Sequence, residues 1–165
     1  MKSRISLIAG IGKNTRALGK DNDLLFKISE DMKRFRRLTK GHPVIMGRKT
    51  WESLPKEFRP LPGRANFVVT RTHDYEAPGA YVALSLVDAL TGASLADGAD
   101  EIFIIGGGEI YREALPLVHR LYLTLVHDET IGDTFFPEYP EFTNVIEKQE
   151  FLEHVPPYEF VTLER

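Results

Sequence analysis

The sequence predicts a single α/β domain: a mainly parallel, twisted sheet of eight strands, an antiparallel C-terminal strand and about four flanking helices. Three observations lead there. Short apolar runs alternate with helical stretches along most of the chain, the pattern of strands joined by crossovers. The early runs are mostly apolar, without strict alternation, as expected of strands covered on both faces. The last two strand-like stretches alternate instead, which reads as an antiparallel hairpin. At 165 residues the chain holds one domain with a sizeable core, residues 1–165, and no repeat or linker divides it.

Ile5–Ile11 (ISLIAGI) reads as a fully buried strand. Gly12–Phe26 has little periodicity and many turn formers, so a long loop is expected, with Gly10, Gly12 and Gly19 as hinges of a lid. Ile28–Leu38 reads as a helix. Projected at about 100° per residue, Asp31 falls inside the apolar stripe of Ile28, Met32, Phe35 and Leu38, while Lys33, Arg36 and Arg37 fall on the far side. An ionised carboxylate is seldom buried alone, because it loses its hydration. Asp31 is therefore a candidate to receive a ligand bearing N–H donors. The plainer reading makes Ser29 the N-cap and Glu30 and Asp31 ordinary first-turn acids.

Pro43–Met46 is expected as a buried strand, Gly47 as a turn and Arg48–Leu54 as a short helix. Arg48 and Lys49 then stand at a helix N-terminus, where cations are disfavoured unless an anion is held there, so a phosphate site is expected. Leu54–Arg64 is a loop stiffened by Pro55, Pro60 and Pro62, and its Arg59 and Arg64 could fork onto a carboxylate. Ala65–Thr70 is a strand. Thr70 and Arg71 lie beyond its carboxyl end, where ligands gather in open α/β sheets, and suit a phosphate monoester. Tyr81–Leu84 is a short strand. Ser85 caps a helix through about Leu95, with Val87, Leu90 and Leu95 among its apolar positions.

Glu101–Ile105 is a strand that runs into Gly106-Gly107-Gly108 and the helix Glu109–Leu115, stopped near Pro116. Such a unit lets backbone N–H groups approach an anion closely, although it is not GxGxxG. Arg120–Val126 is a strand carrying Thr124, and Gly132–Pro137 is a turn-rich loop. Asn144–Leu152 and Glu159–Leu163 are the late antiparallel strands.

Composition narrows the function. A net charge of −3 gives no basic field for nucleic acid. The absence of cysteine removes disulfides, thiolate metal sites and thiol nucleophiles, and is compatible with a reducing cytoplasm. The five histidines have no metal-ligand spacing, so no metal is expected. Met1–Gly10 lacks the apolar core of a signal peptide, and no apolar run is long enough to span a bilayer.

Seven stretches in order and in register resemble dihydrofolate reductase, bacterial type: ISLIA at Ile5–Ala9, the acid before MKRF at Asp31, PVIMGRKTWES at Pro43–Ser53, PLPGR at Pro60–Arg64, IIGGGEIY at Ile104–Tyr111, LYLT at Leu121–Thr124 and GDTFFP at Gly132–Pro137. The resemblance implies NADPH-dependent reduction of 7,8-dihydrofolate to tetrahydrofolate by a monomer. It implies that Asp31 accepts from the pterin N3–H and 2-amino group and that Thr124 supports it. It further implies apolar walls from Ile8, Ala9, Met32, Phe35, Leu54, Leu61 and Ile105, with Arg64, and Arg59 nearby, toward the glutamate tail. By the same resemblance Phe26 and Tyr111 are expected beside the reacting rings.

For the cofactor the resemblance implies Gly47, Arg48, Lys49 and Thr50 on the phosphates, and Val69, Thr70 and Arg71 at the adenosine 2′-phosphate. Gly10, Leu18 and Gly19 of the lid belong at the carboxamide. Ile105, Gly106, Gly107, Gly108, Glu109, Ile110 and Tyr111 lie along the pyrophosphate and nicotinamide, with Gly106–Gly107 cis. The resemblance also implies that Asp31 lies too far from pterin N5 to protonate it directly, so a water is expected to deliver that proton, favoured by the Asp31 charge. The chain departs from the family in three places. Leu25-Phe26 replaces the common Pro-Trp and removes an indole N–H, Glu109 stands where close relatives often carry arginine, and the lid is one residue longer. Two other classes remain open on sequence: a same-fold pyrimidine reductase of riboflavin synthesis, and a non-catalytic nucleotide-binding module.

Overall fold

The structure is a computed structural model that describes residues 2–21 and 23–165. In chain order the elements are β1 (Arg4–Gly12), β2 (Ala17–Lys20), β3 (Asp23–Leu24), α1 (Ser29–Thr39), β4 (Val44–Gly47), α2 (Arg48–Ser53), β5 (Asn66–Val69), β6 (Tyr81–Ala83), α3 (Leu86–Ala93), β7 (Glu101–Gly106), α4 (Gly108–Ala114), β8 (Arg120–Val126), β9 (Thr134–Phe135), β10 (Asn144–Phe151) and β11 (Tyr158–Glu164). Eight strands form one sheet in the order β10-β11-β8-β1-β7-β4-β5-β6. All neighbours from β8 to β6 pair in parallel, and β11 is antiparallel to both β8 and β10. The predicted class therefore holds: a mostly parallel sheet with four helices and a reversed C-terminal strand.

The central strands alternate between two buried layers, as the period of a strand requires. Leu7, Ile11, Ile45, Ile104, Leu121 and Leu123 join one cluster with α3 and α4. Ile8, Val44, Met46, Phe103 and Tyr122 join the other, with Trp51 and the partly buried Phe35 and Leu38 of α1. At the amino ends of the strands Glu101 accepts from Ser6 Oγ at 2.6 Å, Tyr122 Oη at 2.9 Å and Arg4 Nε at 3.2 Å, so this buried carboxylate is satisfied.

The structure corrects three local expectations. Gly12–Phe26 is not a featureless loop. It contains β2 and β3, which form a three-stranded sheet with β9 from the GDTFFP stretch. Strands of four and two residues are too short to show a period. Asn22 of this stretch lies outside the described residues. In α1 the N-cap is Ile28, without a side-chain cap bond, and Ser29 is already helical. In α3 the Ser85 Oγ accepts from the Asp88 N–H at 3.0 Å as expected, but the helix buries Leu86, Ala89 and Ala93. Val87 and Leu95 face solvent. Small alanines can take a packed face while a larger neighbour points outward, which hydrophobicity alone does not reveal.

Candidate active site

The carboxyl-terminal halves of β1 and β8 meet α1 at Asp31. Gly10 of β1 lies in register with Thr124 of β8. A Cβ on Gly10 would stand 3.1 Å from Asp31 Oδ2, so the bare backbone leaves room for the carboxylate. Thr124, buried at 1 % exposure, donates its hydroxyl to Asp31 Oδ1 at 2.5 Å. Among the described residues no other side chain hydrogen-bonds Asp31 and no cation forms an ion pair with it. Burial holds its pKa above the ordinary carboxylate value, against the opposing effects of the Thr124 hydroxyl and the Arg34 charge. Asp31 thus has one oxygen engaged and Oδ2 without a protein donor.

Tyr111 of α4 donates its hydroxyl to the Ile8 carbonyl at 2.7 Å. Burial, with the Asp31 charge adding to it, pushes the phenol far above its ordinary pKa, so it remains a neutral donor. This bond ties α4 to β1 beside the carboxylate. Of the expected apolar walls, Ile8, Phe35, Leu54, Leu61 and Ile105 pack in a common cluster. Ala9 faces the opposite layer, and Met32 is half exposed. Phe26 packs against the cluster of Ile28, Val126, Tyr158 and Phe160.

The two arginines of the proline-rich loop differ. Arg64 is half-buried, its Nε donating to the Pro62 carbonyl and its Nη1 to Thr39 Oγ1, each at 2.8 Å. Its Nη2 has no partner among the described residues, which leaves an oriented donor for an anion. Burial, and then the neighbouring Arg36, lower its pKa from the ordinary guanidinium value. Arg59 instead turns inward. Its Nη2 donates to the carbonyls of Glu52 and Leu54, both at 2.7 Å, and the guanidinium lies over Trp51 at 6.0 Å. It satisfies carbonyls left open at the end of α2, a demand that sequence spacing did not show.

On the other side of β7, the Gly106–Gly107 peptide is cis, as the resemblance implies. Gly106 has φ +119°, and a Cβ there would press on the Tyr111 hydroxyl and ring at 3.1–3.3 Å. Gly107 faces Thr50 Oγ1, Gly47 faces Ile110, and Gly108 faces Thr134 and Leu18. Bare backbone and small polar groups thus gather along the ends of β4 and β7, a surface that can accept a flat, anionic cofactor closely. Around it Arg48 pairs with Glu52 at 3.0 Å, and the other Glu52 oxygen accepts from Tyr75 at 2.6 Å. Lys49 and Arg71 are exposed, Val69 is half-buried, and Thr70 is buried with its Oγ1 accepting from the Thr72 N–H at 3.1 Å. Glu109 is exposed on the first turn of α4. Gly19 sits in the β2–β3 pairing, where a Cβ would meet the Asp23 carbonyl at 2.5 Å.

Sequence reasoning missed Arg34. It is 6 % exposed and reaches from α1 across β8 and β11. Its angular position beside Leu38, at the edge of the apolar stripe, was the available signal.

Comparison with known proteins agrees with this geometry. The family model described as dihydrofolate reductase matches residues 4–165. The dihydrofolate reductase of Bacillus subtilis is 44% identical over 137 residues, 83% of this chain and 77% of that protein. Dihydrofolate reductase type 3 of Salmonella typhimurium is 47% identical over 135 residues, 82% of this chain and 79% of that protein. A solved structure, dihydrofolate reductase from Enterococcus faecalis complexed with NADP(H) and RAB-propyl, superposes with a TM-score of 0.86 at 28% identity, covering 98% of this chain and 96% of that one. With the half-buried acid, the glycine-lined strand ends and the sheet order all in place, the chain belongs to the dihydrofolate reductase family.

Proposed function

We propose that residues 1–165 act as one reductase domain that converts 7,8-dihydrofolate to 5,6,7,8-tetrahydrofolate with NADPH. The observation that carries the reading is Asp31: a half-buried carboxylate with Oδ1 held by Thr124 and Oδ2 lacking a protein donor. A pterin ring offers two adjacent N–H donors, a fork that matches a carboxylate. When bound, NADPH supplies the hydride that pterin C6 accepts.

The chain's own residues do the rest. Asp31 holds and orients the pterin edge, and its negative charge favours protonation at N5 through water. Thr124 fixes the rotamer of Asp31. Ile8, Phe35, Leu54, Leu61 and Ile105 exclude bulk water from the reacting face. Arg64 takes a substrate carboxylate on its free Nη2. Gly47, Thr50 and Gly106–Gly108 receive the cofactor against bare backbone, with Arg48, Lys49, Thr70 and Arg71 at its phosphates. The protein works as a monomer in the cytoplasm, without a nucleic-acid partner. Among the described residues no helix is long and apolar enough to cross a membrane.

The test is loss of the NADPH absorbance band when dihydrofolate is added to protein and cofactor. Turnover on dihydrofolate and none on a ribosylamino-pyrimidine supports the reading. Cofactor binding without turnover on either overturns it in favour of a binding module.

A further inference from the structure

We propose that Arg34 is a positioning residue for this reaction: a buried counter-charge one helical turn from Asp31 that also seats the strand that presents Thr124. The proposal rests on the reductase reading for its kinetic consequence.

Arg34 lies three residues after Asp31 on α1 and is almost fully enclosed. Its Nη1 donates to the Leu123 carbonyl at 3.3 Å and its Nη2 to Thr162 Oγ1 at 3.4 Å. The guanidinium stands over the Phe160 ring at 4.5 Å and near that of Tyr122 at 5.8 Å. Among the described residues no carboxylate comes within ion-pair distance of it. A guanidinium does not lose its proton in a protein, so this charge is permanent. A buried permanent charge needs a counter-charge, and packing alone would be better served by an apolar residue.

The charged and titratable groups acting on Arg34 are Asp31 and Arg37 of α1, Glu147 of β10 and Tyr122 of β8. Glu147 is exposed and screened by water, and Arg37 repels. Asp31, half-buried and one turn before Arg34 on the same face of α1, is therefore the counter-charge. The groups around Asp31 are Thr124 of β8, Tyr111 of α4, Tyr158 of β11 and Arg34 itself. Arg34 is the cation among them. Burial drives Asp31 toward its neutral form, and Arg34 opposes that drive. The anchor point matters too. Leu123, whose carbonyl Arg34 grips, immediately precedes Thr124, whose hydroxyl fixes Asp31. One side chain thus joins α1 to β8 at the step that sets the geometry of the acid.

The test compares Arg34→Met and Arg34→Lys with the wild type. Two readouts are used: the pH profile of kcat/KM, and the carbon-13 NMR titration of the Asp31 carboxyl in the cofactor-free protein. Arg34→Met raises the Asp31 midpoint by about one pH unit, the low end of the range for a nearby opposite charge. Arg34→Lys keeps a cation and stays near the wild-type midpoint. A folded Arg34→Met that titrates like the wild type overturns the proposal. So does an Arg34→Lys whose midpoint moves as far as that of the methionine variant. If Arg34→Met does not fold, Arg34→Gln takes its place with the same expected shift. Failure of the wild type to oxidise NADPH with dihydrofolate would sink the reductase reading, while the NMR titration would still decide the role of Arg34.

Discussion

Replacing Asp31 by asparagine removes the charge and keeps the shape. Thr124 donates to Oδ1 at 2.5 Å, and that bond survives with an amide oxygen in the same place. The amide nitrogen then occupies the Oδ2 position and presents donors to the donors of the pterin. A hydrogen bond to a charged group contributes about 1.5–3 kcal/mol, and leaving a donor unpaired adds to the loss. A total near 3 kcal/mol corresponds to a fall of about 10²-fold in kcat/KM at neutral pH. The loss narrows at acid pH, where the substrate takes its proton from solution. Stability moves the other way. The pKa of Asp31 is raised in the fold, so ionisation is opposed there and stability declines as pH rises from the ordinary carboxylate value through the raised one. A neutral amide has no such decline, so Asp31→Asn is at least as stable as the wild type at pH 7. Absorbance decay of NADPH and urea denaturation measure the two effects. A variant that turns over within threefold of wild type, with the same pH profile, would refute the role of the carboxylate.

Three other variants probe the surrounding structure. Arg64→Leu removes the oriented Nη2 donor without touching the reacting face, so KM for dihydrofolate rises about 10- to 100-fold while kcat changes little; steady-state kinetics showing a kcat defect instead would place Arg64 elsewhere in the cycle. Gly106→Ala forces a Cβ against Tyr111 at 3.1–3.3 Å in a backbone with φ +119°, and is expected to cost about 1–3 kcal/mol of stability and to weaken NADPH binding, read by thermal melts and cofactor titration. At the far end of the sheet, burial pushes the Glu101 carboxyl up, but donors from Arg4, Ser6 and Tyr122 outweigh it and leave its pKa below the ordinary value. The stability it provides is present above the ordinary carboxylate pKa and is lost as pH falls through the depressed one. Glu101→Gln therefore lowers stability at pH 7 and flattens its acid dependence, and parallel acid-denaturation curves for both proteins would contradict this.

Much of the molecule was legible in local patterning. Continuous apolar runs such as ISLIAGI and EIFII can be buried only between two covered faces, so they announce a parallel sheet before any contact is known. The position of Asp31 on its helix was readable for the same reason: helical geometry assigns faces by counting. The lid stretch resisted because β2 and β3 are too short for a period and exist through pairing with each other and with β9, more than a hundred residues away. Arg59 and Arg64 look alike in a proline-rich loop. Only the folded chain puts open carbonyls beside one and the Thr39 hydroxyl beside the other. Arg34 was the deepest omission, since a charged residue earns a buried place through rings and acceptors from two strands far along the chain, β8 and β11. Periodicity reports which way a side chain faces, because that depends on neighbours in the chain. What it meets there depends on distant strands, and that belongs to the tertiary structure.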